Sequence, residues 1–234
     1  MAERTIEDQL REQYVTLLPE LTRVAEHLKT QIEYFLLPIA RHLKPHESLL
    51  VKARVKDCNS AIDKLRRGNP GGVFDRNHPE IYNLLSLRDL VGVRVMAFPS
   101  GRAMEVDRLL RLEFGDWIAD PIRDDTGKQL AFKYNGQYTQ SPMHWIRSLA
   151  ADLAFKYRRY TESVEDIPCE YQIVSTLIGL FWDIEHAAIY KQAPNLKGLE
   201  PVMREQTYAV YLALKAFEDE FERQIQISES STHD

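Results

Sequence analysis

The sequence predicts an α+β fold: a mixed β-sheet flanked by helices, with further helices at the N- and C-terminal ends. Three observations carry this. Leu10, Tyr14, Leu17, Leu18, Leu21 and Val24 recur at helical spacing near the start of the chain. Short β-branched runs, "SLLVKARVK" (48–56), "LVGVRVMAF" (90–98) and "PCEYQIVS" (168–175), then alternate with helical segments. From residue 199 to 227 the pattern is helical again.

Each element has a local reason. Thr5 is the N-cap of an opening helical region over 5–43, in which Pro19 is expected to start a second helix and Pro38 to kink or end it. Alternation makes 48–56 a strand, and "CNSAIDKLRRG" a helix stopped by Gly68. "NPGGVFDRNHPE" is loop, and "PSG" bounds the strand 90–98. "RAMEVDRLLRLEF" is helix, "DWIAD" and "QLAFKY" are strand candidates, and "MHWIRSLAADLAFKYRRY" is helix-like. The strand 168–175 leads into a helix over 176–191. The organisation is a helical arm (1–47), a core (48–192), a C-terminal helical segment (193–227) and a polar, disordered tail, "STHD" and the residues before it (228–234).

The 234 residues suffice for one sizeable core, and 44% hydrophobic with 28% charged residues is ordinary for a soluble protein. No apolar stretch is long enough for a membrane helix, and the charged start "MAERTIEDQLREQ" is not a signal peptide. Cys58 and Cys169 show neither metal-ligand spacing nor a disulfide framework, so a cytoplasmic location is expected. The net charge of -5 excludes a generic nucleic-acid binder. Residues 52–67 are nevertheless locally +4. A basic patch on an acidic protein points to a small polyanion such as nucleotide phosphates.

The Gly-rich phosphate loops and the H-E-x-x-H metal motif are missing, so a phosphate site must be built from side chains. Arg54 and Lys56 share one face of the strand 48–56, and Ser60, Lys64 and Arg67 share one face of the following helix. Asp89 stands just before a buried strand and offers a hard oxygen for Mg²⁺. Arg94 lies inside that Val-rich strand, where a guanidinium needs a purpose such as stacking on a base. Glu170 and Gln172 share one strand face and Cys169, Tyr171 and Ile173 the other, so the first pair points into a cleft. Asp89 and Glu170 could share one Mg²⁺, or one could act as base beside it.

Together these stretches resemble the RelA/SpoT-type (p)ppGpp synthetase domain of small alarmone synthetases, a nucleotidyltransferase-like fold. "RVKDCNSAIDKLRR" resembles its ATP-phosphate segment, "RDLVGVRV" its D-[IL]-[AV]-G-[IV]-R-[IV] motif, and "CEYQIVSTLIGLFWDIEHAAIYK" its E-[VI]-Q-[IV]-R-T…E-H-x-x-x-Y-K signature. The resemblance implies that Arg54 and Arg94 sandwich adenine, and that Lys56, Ser60, Lys64 and Arg67 hold ATP phosphates. It implies Mg²⁺ at Asp89 and Glu170, with Glu170 activating the acceptor 3′-hydroxyl. Lys133, Tyr138, Gln172 and Glu185 fall on the acceptor side.

On that side the sequence departs from the family. The expected acceptor loop K-x-x-G-Y-R-S-x-H corresponds best to "FKYNGQYTQSPMHW", where Gln137 occupies the tyrosine position and Tyr138 follows one place late. Tyr138, with Tyr134 in reserve, is expected to stack on the acceptor base, Gly136 permitting the turn. Val174 replaces a basic residue of the signature, and Lys156, Arg158 and Arg159 interleave with aromatic residues. The implied activity moves the β,γ-pyrophosphate of ATP to the ribose 3′-hydroxyl of GDP or GTP. The alternatives are the same chemistry on a tRNA 3′ end, as a toxin, or an inactive synthetase-like scaffold. Acceptor, oligomeric state and an antitoxin partner are left open.

Overall fold

The computed structural model describes residues 4–123, 127, 129–138, 167–185 and 200–230. Helix α1 (Ile6–Phe35) starts at Thr5, whose hydroxyl accepts from the Asp8 N–H while the Asp8 carboxylate accepts from the Thr5 N–H. This reciprocal cap satisfies two donors that a helix start leaves unpaired. Pro19 does not open a second helix, contrary to the expectation; it lies inside α1. Leu10, Tyr14, Leu21, Val24, Leu28 and Ile32 form one buried stripe on both sides of it. Burying each such side chain is worth about 1.5–3 kcal/mol, which outweighs the one backbone hydrogen bond that a proline forfeits. Pro38 sits in the first turn of the short α2 (Leu37–Ala40).

The remaining elements are β1 (Ser48–Val55), α3 (Cys58–Arg67), β2 (Val91–Phe98), α4 (Arg102–Glu113), β3 (Ile118–Ala119), β4 (Ile122–Arg123), β5 (Gln129–Tyr138), β6 (Ile167–Ser175), α5 (Thr176–Glu185) and α6 (Glu200–Ser230). The architecture is α+β, a mixed sheet flanked by helices. The sheet order is β1-β2-β6-β5-β3, with β4 also paired to β5. β2 and β6 run parallel, and the other pairs are antiparallel. Two expectations are corrected at the ends of elements. β5 does not stop at Tyr134 but continues to Tyr138. α6 runs into the expected tail as far as Ser230, whose hydroxyl donates to the Gln226 carbonyl at 2.7 Å. The helix expected over 143–160 and the stretch 186–191 lie outside the described residues.

Register assigns every strand residue to a face. Val91, Val93 and Val95 share one face with Tyr171, Ile173, Tyr134 and Tyr138, and pack in a core with the buried stripe of α1 and with Val106 and Leu110 of α4. On the opposite face Met96, Ala131 and Val174 form a smaller core with Ile178 of α5 and Tyr211 of α6. A Cβ at Gly179 would stand 2.8 Å from Met96, so the glycine is what lets α5 lie this close to the sheet. The rest of that second face carries Lys52, Arg54, Gly92, Arg94, Glu170, Gln172, Lys133 and Asn135. Of these, Arg94 lies beneath α5, donating to the Gly179 carbonyl and to Asp183.

Candidate functional site

The first cluster forms where β1 passes into α3. The Lys56 N–H donates to the Leu90 carbonyl at 2.8 Å, and the Tyr14 hydroxyl donates to the Lys56 carbonyl at 2.9 Å. Asp57 caps α3 by accepting from the Ser60 N–H at 3.0 Å. With the backbone so fixed, Lys56 Nζ and Lys64 Nζ each lie 2.8 Å from Asp89 Oδ2. Asp89 is buried, and its Oδ1 has no hydrogen-bond partner among the described residues. Burial alone would raise the Asp89 carboxyl, but the two ammonium groups hold it below the usual carboxylate value.

The second cluster surrounds Glu170, in the centre of the sheet and 4% exposed. Its Oε1 accepts from Gln172 Nε2 at 3.0 Å and stands 3.5 Å from Arg54 Nη2. Its Oε2 is 3.9 Å from Lys133 Nζ, which also pairs with Asp120 at 2.9 Å. Gly92 is the cross-strand neighbour of both Arg54 and Glu170. A Cβ there would come within 3.3 Å of Arg54 Nε and 3.7 Å of Glu170 Cγ. The glycine therefore provides a flat floor beneath the pair.

The third cluster fixes Arg94. Its Nε donates to Gln172 Oε1 at 3.2 Å, and its Nη1 donates to the Gly179 carbonyl at 3.3 Å and to Asp183 Oδ1 at 2.5 Å. Its Cζ lies 6.0 Å from the Trp182 ring centroid, within cation–π range. Lys52 Nζ reaches the other Asp183 oxygen at 3.3 Å. Burial lowers the guanidinium pKa and Asp183 offsets part of that. A cavity of about 140 Å³ is lined by Arg54, Gly92, Arg94, Glu170, Gln172 and Asp183 among others.

Most of the donor-side residues read from the sequence thus share one face. Lys56 and Lys64 meet at Asp89, while Arg54, Arg94 and the acceptor-side Gln172 and Lys133 link to one another through Glu170 and Gln172. Ser60 stands in the first turn of α3. Arg67 is exposed, and its Nε donates to the Asp63 carbonyl of its own helix at 3.3 Å. Glu185 is the last described residue of α5. Asp183 and Asp120 were not read from the sequence. Their roles come from ion pairs and hydrogen bonds across the chain, which carry no local pattern.

The acceptor loop expected over 132–145 is corrected by β5 as far as Tyr138; residues 139–145 lie outside the described residues. Residues 132–138 are strand, so side chains alternate between faces. Tyr138 pairs with Ile167 and Tyr134 with Tyr171, on the face turned toward α1. The Tyr138 hydroxyl lies 3.4 Å from His27 Nδ1 on α1, and Tyr134 stacks on Tyr171 at 4.8 Å. Neither ring reaches the cleft. Gln137, set aside in favour of Tyr138, is on the cleft face. Gly136 makes no turn; a Cβ there would meet the Trp117 indole at 2.3–2.5 Å, so its function is to admit that ring.

No protein-family model and no curated protein matches the sequence. Solved structures do resemble the fold. The small alarmone synthetase 1 from Bacillus subtilis superposes with a TM-score of 0.61 at 17% identity, over 92% of this chain and 98% of that one. The same protein bound to AMPCPP gives 0.62 at 17% identity and the same coverage. A GTP pyrophosphokinase family protein from Streptococcus pneumoniae gives 0.53 at 16% identity, over 89% of this chain and 94% of that one. The fold is that of the small alarmone synthetases.

In the alarmone synthetase fold the resemblance implies Mg²⁺ at Asp89 and Glu170, and the two residues suit it. Among the described residues, Asp89 keeps one buried oxygen without a partner, and Glu170 Oε2 lies 3.9 Å from Lys133 Nζ. Mg²⁺ is ordinarily held by one or two carboxylates together with phosphates and water. No cluster of three or more His, Cys, Asp or Glu able to hold a metal occurs among the described residues. The donor set therefore fits an ion shared with a nucleotide better than an all-protein cage.

Proposed function

We propose that this chain is a pyrophosphokinase that transfers the β,γ-pyrophosphate of ATP to the ribose 3′-hydroxyl of GDP or GTP. The observation that carries the reading is the pairing of Lys56 and Lys64 with Asp89 and of Arg54 with Glu170, with Arg94 beside them held by Asp183 and Gln172. The AMPCPP-bound relative and a pppGpp-bound form of the same relative (TM-score 0.55, 16% identity) support the choice of nucleotides.

The residues divide the work. Arg54 and Arg94 hold the adenine, Arg94 kept in place by Asp183 and Gln172. Lys56 and Lys64 turn from Asp89 to the phosphates, where each ammonium keeps a charge-assisted bond. Glu170 Oε2 takes the proton from the acceptor 3′-hydroxyl, because Oε1 is already engaged by Gln172. The 3′-oxygen bonds to the β-phosphorus, the bond from the α-phosphate oxygen to the β-phosphorus breaks, and AMP leaves. Bound Mg²⁺ would supply neutralisation of the phosphate charge. Positioning and charge neutralisation provide most of the acceleration in such transfers.

The test offers the purified protein γ-labelled ATP and MgCl₂ with GDP, GTP or deacylated tRNA in parallel. Label moving onto GDP or GTP is the expected result. Label moving onto tRNA alone would replace the acceptor, and label remaining in ATP throughout would reduce the protein to a binding scaffold.

A further inference from the structure

A second cavity, of about 490 Å³, lies where β5 begins and β6 ends, bounded by the starts of α4 and α5 and by α6. By the parallel register of β2 and β6 this is the end of the sheet away from Asp89 and Glu170, and the cavity shares no residue with the donor cluster. Its inner wall is apolar: Ala131, Ile178 and Tyr211 are all buried. Met104, on the exposed side of α4, marks the part open to solvent. The volume is within the range of small-ligand sites.

The polar lining is acidic, since α6 brings Glu218, Asp219 and Glu222 to the cavity together with Lys215. Two of these carboxylates are engaged by the fold. Glu222 Oε1 accepts from the Ser100 hydroxyl at 2.9 Å and from the Gly101 N–H, at the start of α4. Asp219 pairs with Lys215 at 3.3 Å. Glu218 differs from both. It is 3% exposed and accepts from the Ser175 hydroxyl and the Leu177 N–H, yet its Oε1 is buried and has no partner among the described residues. A buried acceptor left unpaired is costly. Burial, with Glu222 and Asp219 close by, pushes the Glu218 carboxyl above its ordinary value. Protonation does not resolve the deficit, because the acid O–H needs an acceptor of its own. A cationic donor entering from the cavity does: it satisfies the oxygen and offsets the clustered negative charge.

We propose that this cavity is a binding site for a small organic cation, a protonated amine on an apolar body, whose ammonium donates to Glu218 Oε1 while the body lies against Tyr211, Ile178 and Ala131. The Tyr211 ring suits both parts, since an aromatic face attracts a cation as well as apolar surface. A divalent metal fits the cavity less well. No group of three or more His, Cys, Asp or Glu able to hold a metal occurs among the described residues, and an apolar wall offers a hard cation no ligand. The site is separate from the donor cleft and does not rest on the pyrophosphate-transfer reading.

The experiment is calorimetric titration of phenethylammonium chloride into the full chain. The comparison arms are 2-phenylethanol, which has the same body without the charge, and MgCl₂ at matched ionic strength. Phenethylammonium should bind, the alcohol should bind about 10-fold more weakly or less, and MgCl₂ should not displace the amine. Glu218→Gln should weaken amine binding about 10- to 100-fold, and Tyr211→Leu about 3- to 10-fold. A saturating non-hydrolysable ATP analogue should leave amine binding unchanged. Absence of amine binding to the wild type, equal binding of the alcohol, or displacement by MgCl₂ would overturn the assignment. So would wild-type amine affinity in folded Glu218→Gln, or loss of amine binding once the ATP analogue is present. Should Glu218→Gln fail to fold, the alcohol arm and Tyr211→Leu decide, and wild-type amine affinity in Tyr211→Leu overturns the proposal.

Discussion

Arg54 and Glu170 meet across Gly92, with Arg54 Nη2 3.5 Å from Glu170 Oε1 and no side chain beneath them. The guanidinium is half exposed and the carboxylate is almost fully buried. The pair joins the donor cavity to the group that would activate the acceptor.

Gly92→Ala tests that junction. The added methyl would press on Arg54 Nε, the far end of a flexible side chain, so the fold should survive while Arg54 is displaced. The expected outcome is a KM for ATP raised about threefold or more, with an unchanged melting temperature. A large fall in stability with ATP affinity intact would show that Gly92 serves packing alone.

Arg94→Ala removes four contacts at once, to Gln172, Gly179, Asp183 and the Trp182 ring. ATP binding should weaken by about 1.5–3 kcal/mol. Titration of ATP into the folded variant checks this, and wild-type affinity would remove Arg94 from the donor site.

The Asp89 carboxyl is held below its ordinary value of 3.8 by Lys56 and Lys64. A group lowered in the folded state stabilises above its unfolded value and loses that contribution as pH falls through the folded value. Wild-type stability should therefore drop below about pH 3.8 by more than that of Asp89→Asn. Urea unfolding midpoints between pH 6 and pH 3 measure the difference, and parallel curves would contradict the ion-pair assignment.

Gly179→Ala places a methyl against buried Met96 and Val174. Overpacking of this kind costs about 1–3 kcal/mol. Because α5 carries Trp182 and Asp183 over Arg94, the variant should lose both melting temperature and ATP affinity. Retained ATP affinity at a lowered melting temperature would uncouple α5 from the donor site.

The central strands were legible because buried β-branched runs have few alternatives, and "VGVRV" and "CEYQIVS" lie in β2 and β6 with Arg94, Glu170 and Gln172 on the cleft face. The Asp183 contact to Lys52 was not, since it joins residues 131 positions apart without a local signature. Tyr138 was misplaced for a physical reason. In a loop one residue of offset matters little, but in a strand it moves the side chain to the opposite face. Gly136 likewise reads as a turn in sequence, and only the position of Trp117 reveals it as a packing glycine. Pro19 did not open a second helix because a helix that buries so many side chains tolerates one missing hydrogen bond.

The most direct test of the account is the fate of ATP in the wild type and in Glu170→Gln, followed by phosphorus NMR with Mg²⁺ and GDP present. Pyrophosphate transfer must release AMP, one for each acceptor modified at its 3′-oxygen. The account predicts AMP from the wild type and a rate lower by about 10²–10⁴ in Glu170→Gln, which keeps the shape of the side chain but cannot take the proton. ADP as the nucleotide product, or AMP formed equally fast by Glu170→Gln, would contradict it.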